Sequence, residues 1–107
     1  MEIKILWTDE AIERLKDIFD YYSEEATVKV AQKLINEIVD YSDILLTHPE
    51  IGSVEELLKG RKNKYHYLIC KNYKIIYWRK ESVIFIATVF DMRRNPKKLK
   101  KGLKYVL

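Results

Sequence analysis

The stretch 65-YHYLICKNYKIIYWRKESVIFIATVFD-91 decides the fold. Its residues alternate with a period of two. Tyr65, Tyr67 and Ile69 point one way, and His66, Leu68 and Cys70 the other. Tyr73 to Lys80 is rich in aromatic and β-branched residues, which suit a pleated, half-buried surface. Val83 to Phe90 is an almost unbroken apolar run, so both of its faces are covered and it lies at the centre of a sheet. The spacing predicts three strands over 65–70, 73–80 and 83–90. Lys71-Asn72 joins the first two in a tight turn. Glu81-Ser82 joins the second pair, and because neither residue is glycine a turn longer than two residues is expected there.

Upstream the period changes. Ile3, Ile5 and Trp7 share one face of a short strand over 2–7. Thr8 offers an N-cap, and Asp9 and Glu10 place negative charge in the first helical turn, where the helix dipole favours it. Ala11, Ile12, Leu15, Ile18, Phe19 and Tyr22 then recur every three or four residues, predicting an amphipathic helix over 9–23. A second such stripe, through Val30, Ala31, Leu34, Ile35, Ile38, Tyr41 and Leu45, predicts a helix over 27–46. The short break between the two makes them an antiparallel hairpin. Residues 50–64 form a link with a turn of helix within 53–59. Asn95 and Pro96 suit the start of a short tail helix. The order is β-α-α-β-β-β with a short basic tail. It defines an α+β domain spanning 1–107, a helical hairpin packed on a small, mostly antiparallel sheet whose first strand pairs out of sequential order, at an edge.

Charge divides the chain. Residues 1–58 hold fourteen acids and five bases, a net of 5 − 14 = −9, whereas residues 59–107 hold two acids and fifteen bases, a net of 15 − 2 = +13. The acidic half cannot absorb all of that positive charge, so an anionic partner is expected for the second half. The one cysteine allows no internal disulfide, the two histidines lack metal-ligand spacing, and there is no glycine-rich phosphate loop, so neither metal nor cofactor is expected. No apolar run reaches the length of a membrane span, and the chain start does not read as a signal peptide, which together suit a cytoplasmic protein.

Basic residues interleave with aromatics along the sheet half. Arg61, Lys64, Arg79, Arg93, Arg94, Lys97 and Lys98 are candidates for meeting an anionic target. RNA cleavage without metal is chemically open to such a surface, because the 2′-hydroxyl is an internal nucleophile and the protein need only position it, move a proton and stabilise charge. His66 is the candidate proton carrier, with Lys74, Arg93 and Arg94 as charge stabilisers.

The ordered set 5-ILWTDEAIERLKDIFDYYSEEA-26, the A-x-x-L-I-x-x-I spacing of the second helix, 49-PEIG-52, 73-YKIIYW-78 and 83-VIFIATVFDMRRNPKKL-99 resembles the RelE/ParE superfamily of toxins from type II toxin–antitoxin, or plasmid stabilisation, modules. The resemblance implies a helical hairpin on an antiparallel sheet, an acidic antitoxin that wraps the toxin, and a toxin–antitoxin hetero-oligomer. It also implies one of two targets. RelE-like members cut mRNA on the ribosome, using basic sheet residues, an arginine after the last strand and a tyrosine or histidine close behind. The matching positions here are His66, Lys74, and Arg93 or Arg94. ParE-like members inhibit DNA gyrase and lack that set. After Arg94 the chain reads NPKKLKKGLK, with no Tyr or His before Tyr105. That departure, and the long paired helices, place the resemblance nearer the ParE branch, with the metal-independent mRNA endonuclease as the alternative.

Overall fold

A computed structural model describes residues 2–93. Strand β1 (Lys4–Trp7) leads into helices α1 (Asp9–Glu25) and α2 (Val28–Ser42), followed by a 3-10 turn at Asp43–Leu46. A two-residue strand β2 (Ser53–Val54) and a second 3-10 turn (Glu56–Leu58) precede the meander β3 (His66–Cys70), β4 (Tyr73–Lys80) and β5 (Val83–Asp91). The five strands are ordered β1-β5-β4-β3-β2. β1 runs parallel to β5 at one edge, and every other pairing is antiparallel. The α+β architecture expected from periodicity is therefore present, with β1 at an edge and β5 inside.

The helices start where their caps allow. The Thr8 hydroxyl accepts the Ala11 amide at 3.2 Å and lies 2.8 Å from the Ile86 carbonyl oxygen, to which it donates. One side chain thus caps α1 and ties it to β5. Thr27 caps α2 by accepting the Val30 amide at 3.0 Å. Only Ala26 and Thr27 separate the two helices, which forces the hairpin.

The sheet carries apolar residues on both faces. Toward the helices, Leu68, Tyr73, Ile75, Tyr77, Ile84, Ile86 and Val89 meet Ala11, Ile38 and Leu45. On the opposite face Ile76 and Ala87 pack with Tyr65, Leu58, Tyr67, Trp78 and Phe90. Fully burying an isoleucine such as Ile75 or Ile84 stabilises by roughly 1.5–3 kcal/mol. The register explains how β5 serves both faces. Tyr77 pairs with Ile86 but Ile76 pairs with Thr88, so Ala87 is an extra residue that switches the parity along the strand.

Three expectations need correction. The second helix stops at Ser42 and tightens into a 3-10 turn rather than running as α-helix to 46. The link contains a short strand, β2, that pairs with the start of β3. The β4–β5 connection is only two residues long, because Lys80 pairs with Val83 and Glu81 takes a φ of 55°. Lys71 adopts the same φ in the β3–β4 turn. The turns obtain their geometry by placing side-chain-bearing residues in the left-handed region, which composition did not signal. The tail helix proposed from Asn95, and Arg94, Lys97 and Lys98, lie outside the described residues.

Candidate functional site

The candidate residues fall in different parts of the fold. Lys74 lies on the face of the sheet away from the helices. Its Nζ is 2.7 Å from Glu55 Oε2 and 4.3 Å from the centre of the Tyr67 ring. The Glu55 side chain is 2% exposed, and its second oxygen accepts the Leu57 amide at 3.2 Å. The carboxylate is thus held by the segment after β2, and the cation most central to the sheet already has an anion. Sequence inspection passed over Glu55 because its neighbours place it in a link, where an acid ordinarily faces water.

His66 sits on the other side. It opens β3, pairs with Tyr77 across the ladder, and stacks on that ring with centroids 5.8 Å apart. Tyr77 belongs to the helix-facing core. His66 and Lys74 therefore occupy opposite faces of the sheet.

Arg93 lies at the far end of the meander. Its guanidinium makes two bonds to Asp91, Nε to Oδ1 at 3.0 Å and Nη2 to Oδ2 at 2.9 Å, while its backbone amide donates to the same Oδ1 at 2.9 Å. Asp91 is the last residue of β5 and pairs with Tyr73. Tyr73 and Arg93 both donate hydrogen bonds to the Tyr22 hydroxyl, and these hold the Tyr22 phenol below its usual pKa. Burial, and then its bond to Tyr22, push the Tyr73 phenol up. This Tyr22–Tyr73–Asp91–Arg93 corner joins the end of α1 to the end of the sheet. Asp91 and Arg93 are only two residues apart, but Tyr22 and Tyr73 are remote from them in sequence, so no local pattern could have signalled the whole grouping. Four residues of β3 separate this end from His66, about 13 Å at the usual strand rise.

Arg79 and the loop cations form the remaining basic surface. Arg79 Nη1 is 2.9 Å from Glu50 Oε1, and its Nε donates to the Glu81 carbonyl at 2.7 Å. Lys64 is exposed just before β3, and Arg61 is half-buried in the loop after the second 3-10 turn. No group of three or more His, Cys, Asp or Glu side chains among the described residues could hold a metal ion. Cys70 is free, and burial pushes its thiol pKa up, which suits a packing role. No described helix is long and apolar enough to cross a membrane.

Comparison with known proteins places this architecture. The chain falls in the class of type II toxin–antitoxin toxins. The model of one family, described as the ParE toxin of the type II toxin–antitoxin system parDE, matches residues 5–96, and the chain belongs to that family. Among solved structures, a chain from the chromosomal ParDE TA system of P. aeruginosa is similar with a TM-score of 0.71 at 18% identity. The match covers 84% of this chain and 96% of that one, a likeness of fold. A comparison with curated protein sequences returned no match.

Proposed function

We propose that this chain is a cytoplasmic, growth-arresting toxin that acts by binding DNA gyrase, without metal or cofactor, and is neutralised by an acidic antitoxin within a hetero-oligomer. Family membership supports the toxin class. The preference for binding over catalysis rests on one observation, the buried Lys74–Glu55 pair at 2.7 Å. An mRNA endonuclease needs His66, Lys74 and an arginine around one phosphate. Here Lys74 is neutralised on one face, His66 is stacked on the other, and Arg93 is paired to Asp91 at the opposite end of β3. The basic half is then a docking surface. Arg61, Lys64, Arg79 and Arg93 supply its described part, and by sequence Arg94, Lys97 and Lys98 add to its charge.

The test is to add purified toxin to gyrase from its own host and follow supercoiling of relaxed plasmid. Inhibition that the antitoxin reverses is the expected outcome. Normal supercoiling, together with mRNA cut at ribosome-positioned sites after induction in cells, would replace this reading with a ribosome-dependent endonuclease.

A further inference from the structure

Arg93 leaves the sheet with its backbone already placed. The Met92 amide donates to the Asn72 carbonyl at 2.8 Å, which ties the chain after β5 to the β3–β4 turn. The Arg93 amide then donates to Asp91 Oδ1. Asp91 also holds the side chain, through Nε and Nη2, along one edge of the guanidinium. Both partners in that fork are side chains on neighbouring residues, so the fork alone can turn as a unit.

Tyr22 supplies a hold from elsewhere in the fold. Its hydroxyl accepts from Tyr73 and from Arg93. Its ring packs against the helix-facing core and meets the Tyr21 ring edge-on, with centroids 5.0 Å apart at 86°. A phenol packed in this way presents its oxygen at a fixed place, since only the O–H rotor stays free. Tyr73 is buried and pairs with Asp91 across the β4–β5 ladder. The two anchors of Arg93 are therefore joined through Tyr73. Asp91 engages two N–H groups of the guanidinium and Tyr22 one. A guanidinium carries five, so the described contacts leave 5 − 3 = 2, enough for one two-pronged acceptor on a partner.

We propose that Tyr22 is a positioning residue, whose hydroxyl sets the direction in which Arg93 presents its guanidinium to the target. The inference rests on the reading that the basic half docks on gyrase, and it deepens that reading by naming a residue of the helical hairpin that acts through Arg93. Tyr22 lies in the last turn of α1 and Arg93 follows β5, so the presentation of the arginine depends on how the hairpin is seated on the sheet. Holding the side chain in advance removes the cost of ordering it on binding.

The experiment measures inhibition of supercoiling by wild type, Tyr22→Phe, Arg93→Ala and the two changes combined, with gyrase from the toxin's own host and a thermal melt of each toxin. Tyr22→Phe keeps the ring in the core but leaves the Tyr73 hydroxyl without its acceptor, so Tyr22→Phe/Tyr73→Phe is added to remove both groups together. Both Tyr22 variants are expected to need roughly two- to tenfold more toxin for half inhibition, the size of the cost of ordering one long side chain, and still to reach full inhibition at saturation. In the Arg93→Ala background Tyr22→Phe should have no further effect. NMR of the labelled tyrosine ring carbons gives a readout that does not involve gyrase. Tyr73 and then Arg93 hold the Tyr22 phenol low, so in Arg93→Ala it should titrate at higher pH than in wild type. Equal losses from Tyr22→Phe with and without Arg93, or a Tyr22 titration that Arg93→Ala does not move, would overturn the positioning role and leave the gyrase reading standing. So would a Tyr22→Phe protein that inhibits as wild type does. Wild-type toxin that leaves supercoiling untouched would remove the gyrase reading and the proposal with it.

Discussion

Lys74 and Glu55 face each other across 2.7 Å, with side chains only 19% and 2% exposed. The pair joins β4 to the segment after β2, two parts of the chain 19 residues apart. Breaking such a pair from one side leaves an uncompensated charge in a poorly solvated place, which costs more than the pair itself contributes. Glu55→Gln should therefore destabilise by about 3 kcal/mol. In a domain of this size that lowers the melting temperature by more than about 12 °C. Adding Lys74→Met to it should recover much of the loss, because both charges are then gone. Additive losses in the double variant, read by denaturant titration, would show that the two residues act independently.

Gly52 and Tyr77 make a steric prediction. A Cβ built on Gly52 would land on the Tyr77 hydroxyl and lie 2.7 Å from the ring carbon that bears it. Tyr77 is fixed by the core and by its stack on His66, so it has little room to retreat. Gly52→Ala should cost about 1–3 kcal/mol through overpacking. Tyr77→Phe in the same chain should return part of that stability by removing the clashing oxygen. A Gly52→Ala variant that melts like wild type would mean that the link after Pro49 can shift away from β4.

The Lys71–Glu37 pair predicts a pH profile with two limbs. The hydrogen bond from Lys71 holds the Glu37 carboxyl below its ordinary value, and the Glu37 carboxylate raises Lys71. For Glu37 the contribution is present above the unfolded value near ~4.3 and is lost as pH falls through the lower folded value. For Lys71 the contribution is present below its unfolded value near ~10.4 and is lost as pH rises through the higher folded value. Lys71→Gln removes both. The stability difference between wild type and Lys71→Gln should be flat from about pH 5 to 10 and shrink at either end. Urea titrations across that range test it, and a difference that grows on acidification would contradict the pairing.

How much of this was legible in the sequence follows from how local each cause is. The helices and the meander come from periodicity within short windows, and the caps Thr8 and Thr27 stand beside the elements they start. The bulge at Ala87 has no local cause, because it settles a conflict between the two faces that β5 must serve. The strand β2 is two residues long and too short to show any period. The basic residues were legible as a population, while their partners were not. Glu55 neutralises Lys74 through a contact that depends on register and loop path, whereas Asp91 holds Arg93 from only two residues away. The β4–β5 turn misled because left-handed backbone at Glu81 is set by the strand pairing around it, against the residue's own preference.

That turn carries its own prediction. Glu81 at φ 55° holds a Cβ in a region costing a residue with a side chain roughly 1–2 kcal/mol relative to glycine. The bond it provides to Arg79 comes from its carbonyl, which glycine retains. Glu81→Gly should therefore stabilise by up to about 1 kcal/mol, less the extra entropy glycine gains in the unfolded chain. A lower midpoint in denaturant titration would indicate that the entropy term outweighs the relieved strain.

The binding reading separates Arg93 from His66. Arg93 is half-exposed at the end of the sheet, where Asp91 and Tyr22 fix its guanidinium in one orientation. A rigid, outward arginine is the kind of residue on which an interface concentrates its energy. Arg93→Ala should weaken gyrase inhibition by at least about tenfold, while leaving the melt close to wild type because its bonds are at the surface. His66→Ala should keep the inhibition and lose only the stack on Tyr77, about 0.5–1.5 kcal/mol of stability. Dose–response curves for supercoiling with the three proteins decide the matter. If His66→Ala abolishes growth arrest in a protein that still folds and still binds its antitoxin, a proton carrier is at work and the binding reading fails.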